Sequence, residues 1–110
     1  MMSGTGGKGL CGFISGGESA HVGGTAYAVP RKKSSGEGLT ADVSIICGPG
    51  HKDVYMAQTL AKLISIPTNE AVNLTAGVHV DKASPEELAQ LQSNCITVAE
   101  EFVKAYCRRA

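Results

Sequence analysis

Between residues 39 and 47, Leu39, Ala41, Val43, Ile45 and Cys47 fall on one side of the chain and Thr40, Asp42 and Ser44 on the other. A repeat of two belongs to a strand with one face covered, so this stretch is predicted as β. Gly48-Pro49-Gly50 stops it. From His51 the repeat changes: Val54, Ala57, Leu60, Ala61 and Ile64 form one stripe of a helix that ends near Pro67 and Asn69. Alternation returns at 71–80, with Val72, Leu74, Ala76, Val78 and Val80 opposite Asn73, Thr75, Gly77, His79 and Asp81. One face of that strand is unusually polar. Two earlier apolar runs, Leu10–Ser15 and His21–Val29, read as short strands, the second closed by Pro30, which has no N–H for a ladder. The polar stretch Arg31–Gly38 reads as a long hairpin tip if its flanking strands are neighbours.

Ser84-Pro85-Glu86-Glu87 announces a second helix, with Ser84 as cap, Pro85 at its first position and Glu87 closing a capping box. Leu88, Leu91, Cys95, Val98, Phe102 and Ala105 then recur every three or four residues. The predicted order is β-β-β-α-β-α. It reads as an α+β domain over residues 10–110, with a mainly antiparallel sheet and both helices on one face. Residues 1–9 read as a flexible, glycine-rich lead-in. A last helix of about twenty-two residues spans roughly 33 Å. So small a domain does not need all of it, and the surplus suggests a homodimer.

Composition narrows the function. With 110 residues, 43% apolar and 18% charged, the chain suits one globular domain. Ten basic residues balance ten acidic ones, and there is no Trp. A nucleic-acid binder would carry excess positive charge and stacking aromatics, so that class is excluded. No apolar run approaches the ~20 residues of a membrane helix. No basic stretch leading into an apolar core opens the chain, and the expected compartment is the cytoplasm.

Cys11, Cys47, Cys95 and Cys107 form no close pair of the zinc-binding kind and read as reduced thiols used as small hydrophobes. Gly4-Thr5-Gly6-Gly7-Lys8-Gly9 lacks the spacing of a phosphate loop. The informative segment is Cys47-Gly48-Pro49-Gly50-His51-Lys52-Asp53, where a strand turns on glycines into a helix. Such a junction suits an anion, because the first helical N–H groups lack intrahelical partners and the dipole favours negative charge. Lys52 is unfavourable there unless an anion lies nearby. A plain turn with a solvated Lys52 fits the same residues. His21, His51 and His79 sit at strand or helix ends but are too widely spaced to indicate a metal. Cys47, His51 and an aspartate resemble a nucleophile–base–acid set in residue type. Cys47 belongs to the apolar side of its strand, though, where burial would leave the thiol inert. The chain is not expected to be catalytic on its own.

Three motifs in order carry a resemblance: His21-Val-Gly-Gly-Thr-Ala-Tyr-Ala-Val-Pro-Arg31, Gly48-Pro-Gly-His-Lys-Asp53 and Ala76-Gly-Val-His-Val-Asp81. Together they resemble the small LpdD-like accessory subunits of UbiD-type, gallate-type decarboxylases, the prenylated-flavin chaperones, over about residues 18–105. That family is similar in fold to proteasome-assembly chaperones, which work as dimers. The resemblance implies a carrier of FMN or prenylated FMN that serves a separate UbiD-type decarboxylase, and it admits a flavin prenyltransferase as a second partner. It makes His21, Arg31, Gly48, Gly50, His51, Lys52 and His79 the candidate cofactor-binding residues. Val22-Gly-Gly-Thr25 departs from the more aliphatic pattern expected there. The competing expectation is a protein-assembly chaperone without a small ligand, whose polar strand face meets a partner protein.

Overall fold

The computed structural model describes residues 2–5, 7–17, 21–48, 53–79 and 84–108. Its elements are β1 (Met2–Gly4), β2 (Leu10–Gly17), β3 (Gly24–Lys32), β4 (Leu39–Cys47), α1 (Asp53–Thr68), β5 (Val72–His79) and α2 (Pro85–Cys107). The strands form one sheet in the order β1-β2-β5-β3-β4. Every pairing is antiparallel except β2 with β5. The α+β class, the mostly antiparallel sheet and the order of the larger elements are as the periodicity predicts. One short strand is added at the start: Met2–Gly4, within the expected lead-in, pairs antiparallel with β2.

The alternation sorts the two faces. Ala26 and Ala28 of β3, Ala41 of β4, and Val72, Leu74 and Ala76 of β5 are buried beneath the helix layer. So are all five residues of the α1 stripe, Val54, Ala57, Leu60, Ala61 and Ile64. Alanine recurs on both sides of this contact, which lets α1 lie close to the strands, while Leu60 and Leu74 supply bulk. β3 and β4 form the expected hairpin, and its tip turns through Gly36 and Gly38 at φ of 85° and 76°, a backbone that suits glycine.

α1 continues one residue past Pro67, and Asn69 then takes a left-handed conformation (φ 53°) that ends it. At the start of α2 the capping box is present in full. Ser84 Oγ accepts from the Glu87 N–H at 3.1 Å, and the Ser84 N–H donates to Glu87 Oε1 at 3.2 Å. The far end of α2 is tied down through Glu70, whose carboxylate accepts from the Tyr106 hydroxyl and from the Gly9 N–H.

One expectation is corrected. Cys47 is exposed, as are its neighbours Ile45 and Ile46. Alternation tells which side of β4 faces the helices, but β4 is an edge strand and lacks a neighbour on its outer side. β4 and β5 are separated by β3. Through Gly24 of β3, Cys47 is level with Ala76 of β5, so His79 lies two strand spacings across and three residues further along, roughly 14 Å from the end of β4.

Candidate functional site at the sheet end

β2, β4 and β5 run in the same direction and finish at the same end of the sheet, at Gly17, Cys47 and His79. β3 runs the other way and begins there, with Gly24 between Cys47 and Ala76. Both helices start at this end too, since each follows one of these strands. Open α/β sheets commonly bind ligands outside the carboxyl ends of their strands.

Three glycines allow the local packing. Gly23 joins two strands: its N–H donates to the Ala76 carbonyl, and its own carbonyl accepts from the Gly48 N–H, both at 2.9 Å. A Cβ at Gly24 would lie 2.7 Å from the Cβ of Val54, so the missing side chain lets the first turn of α1 rest on β3. A Cβ at Gly77 would collide with the His21 carbonyl group. The His21 backbone thus crosses β5 on the face opposite the helices, directly over Gly77.

Among the described residues, the fold brings His21, Gly48 and the backbone of His79 to this end. Half-buried His21 and Gly48 are held there by the hydrogen bonds of Gly23. His79 is the last residue of β5, opposite Gly17; its side chain, like Gly50, His51 and Lys52, lies outside the described residues. Those three occupy the short link between Gly48 and the start of α1. Arg31 is not brought to the same place. It lies seven residues along β3 from Gly24, about 23 Å away at strand rise. There its Nε donates to Asp42 Oδ2 at 2.7 Å, an exposed pair of the kind that contributes at most about 1 kcal/mol.

The face away from the helices carries a polar row that the β5 alternation only half reveals. Asn73 Nδ2 and Thr75 Oγ1 both donate to Thr25 Oγ1 at 3.2 Å, and the Thr25 hydroxyl donates to the Leu74 carbonyl at 3.3 Å. Thr25 joins because β3 pairs with β5, a neighbour relation not visible in the local pattern. Tyr27 and Ile46, 49% and 73% exposed, flank this row. Sequence reasoning also missed a cleft between α1 and α2 with Val78 of β5 in its lining. Leu88 and Leu91 line it, so part of the α2 stripe faces an opening rather than the core.

No catalytic set forms among the described residues. Cys47 and Asp42 project to opposite faces of β4, and Asp42 is engaged by Arg31. Burial pushes the Cys95 thiol above its ordinary range, which favours the unreactive protonated form.

The family model described as the prenylated flavin chaperone LpdD-like domain matches residues 3–107. The chain belongs to that family. No curated protein matches its sequence. The family description agrees with a non-catalytic, flavin-associated accessory role for this LpdD-like chain. No described helix is long and apolar enough to cross a membrane.

Proposed function

We propose that this LpdD-like protein holds FMN or prenylated FMN and supports its delivery to, or the maturation of, a separate UbiD-type aromatic-acid decarboxylase in the cytoplasm. The observation that carries this reading is the family match over residues 3–107. The sheet end supports it, because the Gly48–Lys52 link joins β4 to the start of α1 at the carboxyl ends of three strands.

The residues present fit a flavin nucleotide. Gly24 lets α1 begin close against the sheet, and the first N–H groups of α1 have no partner within the helix. A phosphate near the link would accept hydrogen bonds from such groups and from Lys52, strengthened by its charge. His21, His51 and His79 are the remaining candidate contacts at this end; Arg31 is too distant to touch the same phosphate. The bound flavin is cargo, and its chemistry belongs to the decarboxylase.

The test is Lys52→Glu, titrated with FMN and with riboflavin. A charged hydrogen bond contributes about 1.5–3 kcal/mol, so FMN should weaken roughly ten- to a hundredfold. Riboflavin, which has no phosphate, should change little. Equal losses for both would place the phosphate elsewhere. A second reading, a protein-assembly chaperone without a small ligand, is favoured by the uncovered sheet face with exposed Tyr27 and Ile46. Absence of binding of either flavin by the wild-type protein would decide for it.

A further inference from the structure

The N-terminal halves of α1 and α2 leave a cleft of about 430 Å³ beside the end of β5. Met56, Val78, Leu88 and Ile96 give it apolar walls, and Thr59 and Gln92 add polar groups. Its size and its mixture of apolar surface with a few polar groups suit a small organic molecule. Its position is specific. Met56 belongs to the first turn of α1, and Val78 immediately precedes His79. The cleft therefore lies beside the start of α1 and the end of β5, on the helix side of the sheet. On the other side, the His21 backbone already lies over Gly77 and leaves no space for a ring against that part of β5.

We infer that this cleft receives the isoalloxazine ring of the flavin, a flat and largely apolar heteroaromatic group with one polar edge. The inference rests on the flavin-carrier reading and adds to it where the ring lies. A ring between two helices is covered on both faces. The other exposed aromatic surface, Tyr27 beside Thr25 and Ile46, belongs to an uncovered sheet and can cover only one. Gln92 and Thr59, whose hydroxyl donates to the Tyr55 carbonyl at 3.0 Å and can still accept, line the cleft and supply its polar groups.

The test uses the full chain, titrated with FMN and with riboflavin by flavin fluorescence. Leu88→Arg places a charge on the cleft wall from a half-exposed position, and Gln92→Trp fills the cleft from its exposed rim. Tyr27→Arg alters the opposite face as a control. Both cleft variants should weaken FMN and riboflavin alike, by tenfold or more, because the two ligands share the ring. Tyr27→Arg should leave both affinities within twofold. If Leu88→Arg does not fold, as judged by circular dichroism, Gln92→Trp decides alone. Unchanged affinity in the folded cleft variants, or a large loss in Tyr27→Arg, overturns the assignment while leaving the carrier reading intact. Wild-type protein that binds neither flavin overturns both, and that result precedes any variant.

Discussion

Gly77→Ala tests how the site end is built, because one methyl group would meet the backbone that crosses the sheet there. The added Cβ would overlap the His21 carbonyl group and lie 3.1 Å from the His21 nitrogen. A backbone carbonyl cannot rotate aside as a side chain does, so His21–Gly23 must lift from β5. Lifting it threatens the bonds from Gly23 N–H to Ala76 and from Gly48 N–H to Gly23. Each contributes about 0.5–1.5 kcal/mol net. Forcing an extra carbon into a packed site costs about 1–3 kcal/mol by itself. Relaxation trades one cost against the other, so the expected loss is about 2–3 kcal/mol. For a domain of this size that lowers Tm by roughly 10 °C or more. Gly16→Ala is the control, because a Cβ there meets no atom within 4 Å and its backbone is not left-handed. Both changes remove similar freedom from the unfolded chain, worth about 0.4–1 kcal/mol in favour of folding. Their difference therefore isolates the collision. Denaturant unfolding of the two variants should differ by about 2 kcal/mol or more. Agreement within about 0.5 kcal/mol would refute the argument that His21 packs directly on β5.

At high pH, Tyr106 should matter. Its phenol donates to the Glu70 carboxylate, and this bond, followed by desolvation and the nearby charges of Glu70 and Cys107, raises its pKa above the ordinary tyrosine value. A raised folded-state pKa gives stability that is fully present below about pH 10 and is lost as pH rises through the raised value. Tyr106→Phe should lower Tm at neutral pH and flatten the alkaline fall; parallel pH profiles for the two proteins would refute this. Alkylation of the native protein should label Cys11, Cys47 and Cys107 quickly and buried Cys95 slowly, and equal rates for all four, followed by mass spectrometry, would contradict the packing of α2. Light scattering should show a homodimer at micromolar concentration, because Val98 of the α2 stripe and Ile45 and Ile46 of edge strand β4 remain exposed in one copy. An 11 kDa particle would count against it.

Local periodicity was enough for much of this fold. The stripe from Val54 to Ile64, the two faces of β5 and the capping box at Ser84 all follow from neighbours within four residues of one another. Steric and hydrogen-bonding rules act at that range, so these features were legible before any tertiary contact was considered. The strand-to-helix link at Gly48–Lys52 was legible for the same reason. Pairing between distant segments was not. Nothing near Val72 in sequence states that β5 inserts between β2 and β3, parallel to one and antiparallel to the other. That insertion decides which loops gather at one end: it brings His21 over Gly77 and leaves Arg31 at the far end of its strand. Burial was legible only in direction. Cys47 lies on the side of β4 predicted to face the helices, yet it is exposed because β4 is the last strand of the sheet. The close approaches at Gly24 and Gly77, and the cleft between the helices, likewise depend on which surfaces meet. An absent Cβ in the sequence marks no partner until folding brings a second segment to within 3 Å of it.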